Sequence, residues 1–110
     1  MIKETLEKID QLIANAGAVD PAKKKELLRL LGDLRSEVET LSETHVDEAR
    51  SIVNFAQAAA HEATRTAPAA PLRDVSLEGL AGSARGFEAS HPKLVETVDR
   101  ICRLLAGIGI

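Results

Sequence analysis

Leu27-Leu28-Arg29-Leu30-Leu31-Gly32-Asp33-Leu34-Arg35-Ser36-Glu37-Val38-Glu39-Thr40-Leu41 is the stretch that decides the fold. Leu27, Leu31, Leu34, Val38 and Leu41 recur at alternating steps of four and three, which is a heptad seam, and Leu28 and Leu30 widen it. Carried forward, the same register places His45 and Glu48 on the seam, followed by Ile52, Phe55 and Ala59. The apolar stripe lapses for about two turns and then resumes. No Pro or Gly intervenes between Asp33 and Ala67, so the spacing predicts one helix over 21–66. A break near 42–44 is the competing reading, because Thr44-His45-Val46-Asp47 resembles a capping box with Asp in place of Glu.

Working outward toward the N-terminus, Ile2, Leu6, Ile9, Leu12, Ile13 and Ala16 share one face of a helix expected over 2–16. Gly17 is expected to take a left-handed cap, with Asp20 capping the next helix and Pro21 at its first position. Lys23, Lys24 and Lys25 then stand at the positive end of that helix's dipole, where acids are preferred. They read as a solvated face or, more sharply, as a contact for an acidic partner or phosphate.

Toward the C-terminus, residues 56–63 are alanine-rich, which favours helix and close approach by a neighbour. Ala67-Pro68-Ala69-Ala70-Pro71 predicts a linker over 67–72, stiffened toward polyproline II. Val75, Leu77, Leu80, Ala81, Ala84 and Phe87 predict a helix over 75–89. Gly79, Gly82 and Gly86 each weaken it by up to ~1 kcal/mol unless packing exploits their bareness. Pro92 opens a last helix over 92–107 with Leu94, Val98, Ile101, Leu105 and Ile108 on one side, and Ile110 is expected to be docked.

Composition agrees with helices. Of 110 residues, 45% are hydrophobic, yet the aromatic side chains are only Phe55 and Phe87. Strands draw on aromatic and β-branched residues, so the aliphatic and alanine content favours an all-α domain. A net charge of −3 creates no field to attract nucleic acid, and the stacking platforms for single strands are missing. Cys102 is the single cysteine, which forbids an intrachain disulfide. The amphipathic start does not read as a signal peptide, and no stretch reaches the ~20 apolar residues of a membrane span. The expectation is a cytoplasmic protein with no membrane and no nucleic-acid partner.

Candidate chemistry is thin. His61-Glu62-Ala63-Thr64-Arg65 starts like the zinc-protease helix, but Arg65 stands where the second imidazole must be. Glu88-Ala89-Ser90-His91 has the spacing of one di-iron half-motif, whereas such sites need two plus further carboxylates. His45 and Glu48 form a polar pair in the seam, fit to set helix register or respond to pH, or to sit in a solvated gap. Cys102, on an apolar stripe with no His close in sequence, reads as packed and inert. A metal- or small-ligand-binding bundle would need several of His45, Glu48, His61, Glu62, Glu88 and His91 to converge. The favoured expectation is otherwise: no catalytic, cofactor or metal residues and no enzymatic activity.

Gly86-Phe87-Glu88-Ala89-Ser90-His91-Pro92, continued to Leu105-Ala106-Gly107-Ile108-Gly109-Ile110, resembles a bacterial family known as domain of unknown function 4404. The Phe-Glu-x-Ser-His-Pro block and the Leu-Ala-x-x-Gly-Ile ending carry the likeness. The leading helix and the Leu27 to Leu41 helix fit the family's general pattern, and residues 44–66 look like an inserted helix. The resemblance implies a small bacterial cytosolic helical protein and brings no activity, cofactor or site.

Together these readings predict three to four amphipathic helices in a bundle or coiled-coil-like domain over 1–110. A rod over 21–66 would be roughly 70 Å long at 1.5 Å per residue. Its uncovered seam would then call for a second copy, giving an antiparallel homodimer or higher homo-oligomer. The function that follows is a self-associating adaptor or regulatory scaffold, with room for an unidentified protein partner.

Overall fold

The computed structural model describes residues 2–17, 19–67 and 69–108. Among them the chain is all helix: α1 (Ile2–Ala14), α2 (Pro21–Ser42), α3 (Val46–Thr64), α4 (Ala70–Arg85) and α5 (Pro92–Ala106). Five helices replace the three or four expected. The reason is that the rod expected over 21–66 is two helices, folded back on each other into a body of 37 × 23 × 22 Å.

The break has a physical cause. Continuing the heptad would have carried His45 and Glu48 into the apolar seam, and burying such groups unpaired is costly. Instead the backbone tightens at the end of α2. Glu43 N donates to Thr40 O and Thr44 N to Leu41 O, both three residues back. Ser42 Oγ donates to Glu39 O at 2.8 Å, drawing another carbonyl away from the helical ladder. His45 and Glu48 both end up exposed. The capping box does not form, because Thr44 Oγ1 lies 2.8 Å from His45 Nδ1 and His45 takes the cap position without a side-chain bond.

After the break the register of α3 resets. Its buried face is Ala49, Ile52, Val53, Ala56, Ala59, Ala60 and Ala63, and Phe55, expected on the seam, is 40% exposed. Such a narrow alanine surface lets α4 lie close along it. The ring of contacts runs α2–α3–α4–α5 and back to α2, with α1 laid against α2 and α3. This covers the α2 seam within one chain: Leu27, Leu34, Val38 and Leu41 are fully buried. The uncovered seam that argued for a second copy therefore does not exist, and Ile110, the other reason, lies outside the described residues.

The outer helices follow their spacing. Leu6, Ile9 and Ile13 are buried from α1, and Leu94, Val98, Ile101 and Leu105 from α5, with Ile108 just beyond it. Asp20 caps α2, accepting from Ala22 N at 3.1 Å and Lys23 N at 3.3 Å. Gly17 does not take the positive φ expected of it. The linker expected over 67–72 is shorter, because α4 begins at Ala70 with Pro71 in its first turn, where a missing N–H removes no helical bond. The same helix ends at Arg85 rather than 89. Its buried face is Leu77, Leu80 and Ala84, and Val75, counted with them from spacing, is 66% exposed.

Candidate functional site

Two of the three lysines opening α2 lie at the ends of neighbouring helices. Lys24 Nζ donates to Ala14 O, at the C-terminal end of α1, at 3.2 Å. Lys23 Nζ lies 3.6 Å from where a Cβ on Gly107 would stand, at the end of α5. Arg73 Nη1 adds a bond to Ile108 O at 3.5 Å. Cations that α2's own dipole disfavours thus serve the negative ends of two other helices. Lys24 is half-buried against the end of α1, while Lys23 and Lys25 are exposed.

The imidazoles do not gather into a metal site. His45 and His91 open α3 and α5 with nearly the same backbone, φ −136° and ψ 65° against φ −137° and ψ 64°. Between them stands Phe87, edge-on to both rings, with centroids 5.3 Å from His45 and 5.9 Å from His91. An aromatic ring, not a metal, links the two turns. Glu88 falls in the turn after α4, so the Glu-x-x-His spacing presents no common helical face. His61 is far from that cluster in the chain and exposed on α3, its Nε2 4.0 Å from Glu62 Oε2. Arg65, the residue that spoils the zinc motif, donates to Glu62 Oε1 at 2.8 Å. Among the described residues no group of three His, Cys, Asp or Glu side chains converges to hold a metal.

Cys102 packs beside α4, with Sγ donating to Leu77 O at 3.8 Å. Burial, with the nearby Asp99 carboxylate, pushes its thiol up to about 11. That is the opposite of an activated nucleophile.

Two surface features among the described residues bear on function. An open groove of about 730 Å³ runs between α1 and α3, with Lys8, Gln11 and Asn15 on one wall and Asn54, Gln57 and His61 on the other. The second feature lies on α4. Leu72, Val75, Gly79, Gly82 and Gly86 follow one another at steps of three and four, forming one stripe. Leu72 is 52% and Val75 66% exposed, and Phe55 of α3 leans onto the stripe with its ring over Gly79. A Cβ at Gly79 would collide with that ring, whereas one at Gly82 or Gly86 would meet nothing within 4 Å. One of the three glycines is therefore used inside the chain and two are not.

Sequence reasoning missed this face. It assigned Val75 and Phe55 to the core because both fit a three-and-four spacing, and only the glycines at matching steps hinted at a separate stripe. No helix among the described residues is long and apolar enough to cross a membrane. Comparison with protein-family models, with curated proteins and with solved structures finds no match.

Proposed function

We propose that this chain is a small cytoplasmic adaptor or scaffold, without catalytic chemistry of its own, that works by associating with itself. The observation that carries the reading is the α4 stripe. Among the described residues, Leu72, Val75 and Phe55 are three of four large apolar side chains left exposed, and they lie on neighbouring helices. Clustered apolar exposure marks interaction sites, while apolar residues scattered singly need no explanation. Among the described residues no three of His45, Glu48, His61, Glu62, Glu88 and His91 converge, which supports a binding role over a metal-dependent one. The proposed membership of the bacterial family known as domain of unknown function 4404 rests on the Phe87 to Pro92 block. Its Phe87–His91 contact supports a structural part for those residues, in fixing the turn into α5.

Sedimentation equilibrium on the purified full chain tests the reading. The expected result is a reversible dimer or higher species in the micromolar range. A strictly monomeric chain at hundreds of micromolar would remove the self-associating reading.

A second reading, small-ligand binding, has the α1–α3 groove in its favour. The side-chain amides of Gln11, Asn15, Asn54 and Gln57 make no hydrogen bond to the protein among the described residues, leaving their donors and acceptors for solvent or a ligand. A fragment screen read by NMR should then move the side-chain amide signals of Asn54 and Gln57 before any others; uniformly unmoved amides would exclude it.

A further inference from the structure

We infer that the partner seated on the α4 stripe is a second copy of this chain, packed antiparallel about a twofold axis near Gly79; the inference rests on the self-associating reading above. A twofold interface requires a face complementary to itself, so that residue i meets j and j meets i. The α4 stripe meets that condition in both shape and charge.

In shape, it carries a knob on one side of Gly79 and a hole on the other. Val75 lies four residues before it and projects into solvent. Gly82 lies three residues after, is exposed, and has open space where its side chain would be. Turning one α4 end for end about Gly79 brings Val75 of each copy within one residue of Gly82 of the other. The ring of Phe55 already covers Gly79, so the close approach falls at Gly82, and the interface gains the exposed Leu72 and the outer edge of Phe55.

In charge, one flank of the stripe is acidic toward its start and basic at its end. Asp74 and Glu78 stand on this flank with Arg85, and all three are exposed. Arg85 makes no ion pair among the described residues, while Asp74 meets only its sequence neighbour Arg73, at 3.2 Å. A twofold axis across the helices keeps the same flank of each copy on the same side and reverses its direction. Arg85 of one copy then comes within one residue of Asp74 of the other, with Glu78 one turn away, and the pair occurs twice. Charges so placed select the antiparallel register as well as contribute affinity.

The test is sedimentation equilibrium on the full chain and four variants, each checked for unchanged helicity by circular dichroism. Val75→Glu and Gly82→Leu alter positions with no role in the monomer's core. Both should weaken dimerisation by at least about tenfold. Arg85→Glu should weaken it too, and adding Asp74→Arg to Arg85→Glu should restore most of the loss, because the pair is exchanged rather than removed. A dimer indifferent to Val75→Glu and Gly82→Leu would overturn this interface while leaving self-association standing. A dimer that responds to those two but is not rescued by the double charge exchange would overturn the antiparallel register. A wild-type chain that stays monomeric would overturn both this inference and the reading beneath it.

Discussion

Phe55 lays its ring across Gly79 of the neighbouring helix, in the space that a side chain on Gly79 would fill. The contact ties α3 to α4 at the edge of the bundle and gives one helix-interior glycine a packing role. Gly32 provides the contrast: it is exposed in α2, and nothing lies within 4 Å of a Cβ placed there. Gly32→Ala should therefore raise stability by about 1 kcal/mol, the ordinary gain of alanine over glycine inside a helix. Gly79→Ala should gain little or lose, because the ring must leave its seat. Urea unfolding of the two variants checks this, and equal stabilisation by both would show that Phe55 does not hold that position.

The lysines at the start of α2 should not be equivalent. Lys24→Ala removes the bond to Ala14 O, and the loss should be about 0.5 kcal/mol, typical of a cation at a helix C-terminus. Lys25, which makes no such bond, should be replaceable without loss. Its removal should even help by a few tenths of a kcal/mol, since it opposes the dipole of its own helix. Thermal unfolding at low and high salt separates the two, and the Lys24 effect should shrink as salt rises.

Phe87 fixes two turns at once. Replacing it with Ala should cost about 2 kcal/mol, less than a fully buried Phe because the ring is only partly covered. The sharper readout is local. With the ring present, the imidazole protons of His45 and His91 lie within its ring current, and both sets should move together in the proton NMR spectrum of Phe87→Ala. Movement of one histidine alone would show that the two turns are not joined through Phe87.

Cys102 should be a slow thiol. With its pKa raised from 9.0 to about 11, the thiolate fraction near pH 8 falls about 100-fold below that of a free cysteine. Alkylation by iodoacetamide should be correspondingly slow in the folded chain and ordinary after unfolding in urea. The same shift affects stability. Between pH 9 and 11 the unfolded chain loses a proton that the folded chain keeps, so stability should fall as pH rises through that window. Cys102→Ser should flatten that decline, and a decline of the same slope in both proteins would assign it elsewhere.

The apolar spacing of α1, α2 and α5 was readable because each of those helices presents one continuous stripe with no competing face. Leu6 with Ile9, Leu34 with Val38, and Val98 with Ile101 could be buried only from the side on which they are buried. The cap at Asp20 and the helix start at Pro92 were readable for a similar reason, since their chemistry acts within a few residues. The break at Glu43 to His45 was legible only as the competing reading, a break near 42–44. Ser, Glu and Thr are tolerated inside helices, and what excluded a rod was the long-range consequence of carrying His45 and Glu48 into the seam.

The face of α4 was ambiguous for another reason. Leu77 with Leu80 and Val75 with Gly79 both obey helical spacing, lie on different sides, and cannot both be core. By itself the sequence determined helix, approximate length and polarity, because those follow from steric preference and periodicity within a few turns. Only the tertiary structure decided which stripe was buried, where the long helix broke and which glycine received a ring, because each depends on what a helix distant in sequence brings to the same place.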